Sequence, residues 1–181
     1  MADHEAVVAA RARSDREVTV ESFESFFGRE YRRVLGLAFV LCGNRVAAED
    51  LTQEAFLHAF RRWGRIGAYE DPGAWVRRVV ANRAVPPFRR LQAETRAVVR
   101  VALGHRDPLE VDTEAIALWT EVRRLPARQA QVVALRFYEG RSIEAIARIL
   151  GCSVNTVKTH LARAKQALAR AFGEEVVDDD R

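Results

Sequence analysis

Apolar residues along this chain recur three and four positions apart almost throughout, and alternating runs rich in β-branched residues are nearly absent. The pattern predicts an all-α fold. Helices are expected at about 21–42, 46–63, 72–85, 114–124, 128–138, 142–150 and 154–172. In 46–63 the apolar arc is Leu51, Ala55, Phe56, Ala59, Phe60 and Trp63; in 154–172 it is Val154, Val157, Leu161, Ala164 and Leu168. Each arc is the inward side of an amphipathic helix whose other side is left polar.

Punctuation falls between these segments. Cys42-Gly43-Asn44 closes the first helix, and Gly64 and Gly67 close the second. Asp71-Pro72 opens the third, with Asp71 as N-cap and Pro72 at the first helical position. Pro86-Pro87 stops it, because proline lacks an amide donor and disfavours helix for the residue before it. From Leu91 to Asp112 the periodicity is weak, which reads as a linker. The expected organisation is a loose lead-in over 1–19, a small helical domain over 20–90, a linker over 91–112, a second helical domain over 113–173 and an acidic tail over 174–181.

Residues 142–169, SIEAIARILGCSVNTVKTHLARAKQALA, have a more specific pattern. Ile143, Ile146, Ala147 and Leu150 make one stripe, Gly151 supplies positive φ at the helix end, and Ser153 caps the next helix. A short helix, a glycine turn and a longer helix form a helix-turn-helix, whose second helix enters the major groove by its N-terminal part. The side chains there, Asn155, Thr156, Lys158, Thr159 and Arg163, suit base edges and phosphates. An ordinary helical hairpin with a solvated basic face is the plainer alternative, but turn chemistry, polar face and local charge agree on DNA.

Charge supports that reading. The 181 residues carry a net charge of +4, with 49% apolar and 30% charged residues. Residues 20–90 hold 12 basic against 8 acidic side chains, residues 113–172 hold 10 against 4, and the end from Gly173 to Arg181 holds 1 against 5. Two basic segments suit an anionic partner. Cys42 and Cys152 lie far apart and give neither a disulfide framework nor a zinc pattern. The N-terminal residues do not resemble a signal peptide. The longest apolar stretch, LGLAFVLCG, is too short to span a bilayer. A cytoplasmic chain with no membrane insertion is expected.

Catalytic chemistry is not written here. Glu49, Asp50 and Glu54 could be paired as acid and base, or His58 joined to Glu54 on a metal, but no second ligand pair follows as in HExxH. No catalytic residue, metal site or cofactor is expected. Between Arg61 and Arg90 eight arginines are interleaved with Trp63, Tyr69, Trp75 and Phe88. Arginines hold phosphates and aromatic faces stack unpaired bases, although Trp75, Val76, Val79 and Val80 also read as core with arginines at its rim.

Three motifs in order, AAEDLTQEAFLHAFRRW, DPGAWVRRVVANRA and LPARQAQVVALRFYEGRSIEAIARILGCSVNTVKTHLARAKQAL, resemble the extracytoplasmic-function (ECF) sigma factors, the small two-domain group of the sigma-70 family, over about residues 22–172. The resemblance implies two helical domains of the sigma region 2 and region 4 type, and it implies roles. Asp50, Leu51, Gln53, Glu54 and Phe56 would dock on core RNA polymerase. The segment from Arg65 to Asn82 matches the part that captures a flipped minus-10 base, with Arg65, Tyr69, Trp75, Arg77, Arg78, Asn82 and Arg83 as its side chains. Ser153, Asn155, Thr156, Lys158, Thr159, His160 and Arg163 would lie on the helix that reads the minus-35 element. Core polymerase, promoter DNA as duplex and as melted strand, and an anti-sigma factor are the partners it implies. Val85-Pro86-Pro87-Phe88 departs from the family's continuing basic helix, so the helix is expected to end about a turn early, before Arg89 and Arg90. The competing reading is a free-standing helix-turn-helix regulator of duplex DNA; an anti-sigma-type interaction module is disfavoured by the basic charge of both halves.

Overall fold

The computed structural model describes residues 21–84 and 113–173. The expectations for the lead-in, for Pro86-Pro87, for the linker and for the acidic tail lie outside these residues. Among the described residues the elements are helices: α1 (Phe23–Cys42), α2 (Arg45–Phe60), the short α3 (Trp63–Ile66), α4 (Pro72–Ala84), α5 (Thr113–Arg124), α6 (Ala127–Val133), a π-helical turn (Ala134–Tyr138), α7 (Ile143–Leu150) and α8 (Val154–Phe172). The all-α expectation holds, and most bounds fall within a residue or two of those read from periodicity.

The helix starts follow local chemistry. Ser22, Asn44, Asp71, Ser142 and Ser153 each accept a hydrogen bond from the backbone N–H three residues on, at 2.9–3.2 Å. These bonds satisfy amides that the first helical turn leaves unpaired, and a cap of this kind is worth about 1 kcal/mol. One boundary differs from expectation. The second helix ends at Phe60, and Gly64 lies inside α3 rather than at a helix end. The chain breaks there so that Trp63 can turn back onto the rings of Phe23 and Phe26, with its Nε1 donating to the carbonyl of Glu21 at 3.0 Å.

α1, α2 and α4 form one bundle, and α5 to α8 form a second unit around the helix-turn-helix. The second half of α1, from Gly36 to Cys42, is buried all round. α2 and α4 cover one side of α1, while α5 and the π-helical turn reach its other parts. A helix that is apolar on every side has no solvent face, and this explains the LGLAFVLCG run. The two described units pack against each other, α4 lying on α7, and their buried residues form one contiguous cluster.

Candidate nucleic-acid interface

The helix-turn-helix is built as its residues predict. Gly151 ends α7 at φ 67°, a left-handed conformation that favours glycine, and Ser153 starts α8,. Ile146, Ala147, Leu150, Val157 and Ala164 are buried, and Ile143, Val154, Leu161 and Leu168 pack at the edge of the same core. Ile149, outside the expected stripe, is buried too, because α7 is covered on two sides, by α8 and by α4. With its inner side fixed, α8 turns Asn155, Thr156, Lys158, Thr159 and Arg163 to solvent. The Thr159 hydroxyl donates to the carbonyl of Asn155 at 2.9 Å, and the Ser153 hydroxyl shares a 2.8 Å hydrogen bond with that of Thr156. Ser153 is therefore committed as the cap. His160 is half-buried with Nδ1 turned inside, which separates it from the five outward side chains.

The side chains of α4 and the loop before it are placed differently. Arg65 and Tyr69 are exposed, and Trp75 is half-buried against the core. Arg77, expected to contact DNA, is 0% exposed. Its Nη1 lies 2.8 Å from Oε2 of Glu30 on α1, and its Nε donates to Oε2 of Glu139, past the π-helical turn, at 2.8 Å. In this arrangement the guanidinium cannot reach a phosphate, since both of its partners are carboxylates inside the fold. Burial acts to raise the Glu30 pKa, but Arg77 and Arg29 beside it outweigh burial and hold the carboxyl below its ordinary value. Arg78 lies over Gly151, Asn82 accepts from Arg128 at 3.5 Å, and Arg83 pairs with Glu54. The carbonyl of Ala81 accepts from Nε2 of Gln131 at 2.7 Å. The DNA-facing set expected on α4 thus shares its surface with the second unit.

On α2, Leu51 and Phe56 are core residues, whereas Asp50, Gln53 and Glu54 point outward. Val46, Leu57 and Phe60 extend the outward row and were not anticipated; Phe60, assigned to the apolar arc, is 55% exposed. Val46, Asp50, Gln53 and Leu57 are spaced four, three and four apart, so they form a single ridge, acidic and amide-bearing in the middle and apolar at both ends. Glu54 is held below the usual carboxylate range chiefly by its hydrogen bond from Arg83.

Reactive groups are few. Burial pushes the Cys42 thiol up to about 12, against a smaller opposing effect of Arg123, so it stays protonated and inert. Among the described residues no group of three or more His, Cys, Asp and Glu side chains could hold a metal ion, and no helix is long and apolar enough to cross a membrane.

Comparison with known proteins agrees with this arrangement. Residues 26–94 match the family described as Sigma-70 region 2, and residues 115–168 match Sigma-70, region 4. The ECF RNA polymerase sigma factor SigM of Mycobacterium tuberculosis is 31% identical, over 92% of this chain and 83% of its own. The RNA polymerase sigma-E factor of Streptomyces coelicolor is 32% identical, over 88% of this chain and 89% of its own. The fold is similar to that of sigma factor RpoE of Bartonella quintana, solved in complex with the anti-sigma factor NepR (TM-score 0.64, 22% identity, 86% of this chain and 98% of that one). Two sigma regions in order, with relatives matched along most of their length, are not the pattern of a free-standing regulator: the chain belongs to the ECF group of sigma-70 RNA polymerase sigma factors.

Proposed function

We propose that this sigma factor docks on core RNA polymerase through the outward ridge of α2, captures the melted minus-10 element with α4 and the loop before it, and reads the minus-35 duplex with the exposed side of α8. Promoter recognition and transcription initiation are its function as a sigma factor; the assignment of surfaces is our reading. The observation that carries it is the α2 ridge. The inner side of this helix is packed against α1 and α4, yet Val46, Asp50, Gln53, Glu54, Leu57 and Phe60 are left outward, with large apolar groups in water. An exposed row of that make-up fits a protein partner.

The α8 surface fits duplex DNA for a separate reason. Its five outward polar side chains stand on the first half of a capped helix, where base edges and phosphates are reached in a major groove. The α4 region carries Arg65, Tyr69, Trp75, Arg78, Asn82 and Arg83 at the surface or near it, a mixture of cations and rings suited to an unpaired strand. Flipping a base costs a few kcal/mol, which contacts of this kind must offset. In this reading nucleotide addition belongs to the polymerase, and the site of action is the cytoplasm where the polymerase works. An anti-sigma factor, if one serves this chain, has the α2 ridge and the α8 face to cover.

Gel filtration with core RNA polymerase tests the docking surface and requires no knowledge of the promoter. The wild-type chain co-elutes in equal proportion, and Asp50→Lys combined with Glu54→Lys abolishes co-elution while the free variant keeps its helical circular dichroism. Co-elution of the folded double variant at wild-type strength would remove α2 from the docking role.

A further inference from the structure

We propose that the solvent side of α8 is a docking site for the chain's own acidic segment, residues 174–181, which lies back along the helix and competes with duplex DNA for its cations. The competition rests on the reading of α8 as a DNA-facing helix; the docking itself does not.

α8 carries cations without counter-charges. Between Val154 and Phe172 it has Lys158, Arg163, Lys165 and Arg170 and no acidic residue. All four are exposed, and among the described residues none of them forms an ion pair. Glu144 of α7 feels the charge of Lys158 without pairing with it. The spacing is ordered. Lys158 and Lys165 are seven apart, as are Arg163 and Arg170, so each couple shares one side of the helix across two turns. At about 100° per residue the two couples fall on opposite edges of the solvent side. Asn155, Thr159, Ala162 and Gln166 run in a row between them, and the result is a trough bordered by positive charge. Lys165, Gln166 and Arg170 lie beyond the half of the helix that reads bases.

The acidic segment complements this trough in charge and in length. Residues 174–181, EEVVDDDR, hold five acidic side chains against one basic, opposite the four lysines and arginines of α8. Gly173 ends α8 at φ 72°, and a left-handed residue there turns the chain off the helix axis,. Glu174 and Glu175 follow the negative end of the helix dipole, where carboxylates are disfavoured unless cations are near. Arg170 is the nearest of the four to them in the chain. At about 1.5 Å per residue, Arg163 and Lys158 lie about 15 Å and 22 Å back from Gly173. An extended chain advances about 3.4 Å per residue, which puts Asp178 about 17 Å and Asp180 about 24 Å from the same point. The first acidic block thus matches the last turns of α8, and the second matches Arg163 and Lys158.

Docked, the segment occupies the cations that phosphates would use. Exposed ion pairs are individually weak. A short tether supplies the segment at an effective concentration of about millimolar, so several weak pairs acting together suffice. A tethered competitor weakens binding to every duplex by one common factor. Random DNA, held by phosphate contacts alone, then drops out of useful range, whereas a cognate element keeps base contacts that carboxylates do not imitate.

Two full-length chains test this by nuclear magnetic resonance. One carries a nitroxide on Arg181→Cys in a Cys152→Ser background, Cys42 being buried. The other adds Glu174→Gln, Glu175→Gln, Asp178→Asn, Asp179→Asn and Asp180→Asn. Expected at about 50 mM salt is paramagnetic broadening of the α8 amides from Asn155 to Arg163 in the acidic chain only, lost at about 500 mM as screening shortens. Without the label, the five-amide chain binds a random-sequence duplex 20-mer about tenfold tighter than wild type, as a docked fraction of about 90% requires. Sharp α8 amides in the acidic chain overturn the docking even where the amide chain binds DNA more tightly, because that gain is then long-range repulsion alone. A duplex affinity within twofold of wild type overturns the competition. Broadening is read without DNA and so separates the two readings. Broadened α8 amides with no duplex binding by either chain lose the DNA reading of α8, whereas duplex binding with sharp amides loses the docking alone.

Discussion

α4 and α8 both carry arginine, asparagine and small apolar residues in amphipathic order, yet the fold treats their polar sides in opposite ways. α8 presents Asn155, Thr156, Lys158, Thr159 and Arg163 to solvent, ready for a ligand. α4 engages its polar groups with partners of the same chain: Arg77, buried, on two carboxylates, and at the surface Arg83 on Glu54, Asn82 beside Arg128 and Arg78 across Gly151. An arginine on a helix is therefore not a DNA contact until its side of the helix is known. α8 is covered on one side, by α5, α6 and α7, whereas α4 is covered by α1 and α2 and again by α7.

The largest expected effect separates Arg77 from its neighbour. Arg77→Ala leaves Glu30 and Glu139 facing each other without their shared cation, a loss of about 3–5 kcal/mol, read as a fall of roughly 10 °C in melting temperature for a chain of this size. Arg78→Ala, one residue on, changes stability by less than about 0.5 kcal/mol. Equal melting temperatures for the two variants would erase the contrast between inner and outer arginines of α4. On α8, Lys158→Ala is expected to leave the melting temperature in place and to lower the slope of log affinity against log salt on duplex DNA by about one, as loss of one phosphate contact does. A salt slope equal to wild type would take Lys158 off the backbone.

The smallest effect concerns acid. Glu30 has a folded-state pKa below its ordinary value of 4.5 because the contacts with Arg77 and Arg29 outweigh burial. Its contribution is fully present above that ordinary value and is lost as pH falls through the lower folded-state value. Urea midpoints that drop below about pH 4.5 in the wild type, and drop less steeply in Glu30→Gln, are the expected result; parallel curves would assign the acid sensitivity to other carboxylates.

Some of this placement was legible beforehand. Phe26, Glu30, Val34 and Leu37 are spaced four, four and three apart, so a carboxylate stands on the apolar side of α1 and requires a buried cation. Gly73, Arg77, Ala81 and Ala84 likewise share one side of α4, which marks Arg77 as inward. Those two patterns together point to the Arg77–Glu30 pair. Nothing local to the sequence joins either residue to Glu139, which lies far along the chain beyond a π-helical turn that no simple periodicity announces. The exposure of Leu57 and Phe60 is not legible in the sequence for the opposite reason: an apolar residue reads as core until the number of neighbouring helices is known.

What the sequence by itself determined is local and strong: helix spacing, the caps at Ser22, Asn44, Asp71, Ser142 and Ser153, the Gly151 turn, and the order of motifs that identifies the family. Each depends on interactions within a few residues, which the chain order specifies directly. Tertiary structure decided which polar sides remain free, by bringing the second unit onto α1 and α4. The seating of Tyr138 against Gly36 and the Arg77–Glu139 contact exist only when segments some sixty to a hundred residues apart meet, because burial and ion pairing depend on what finally covers a side chain.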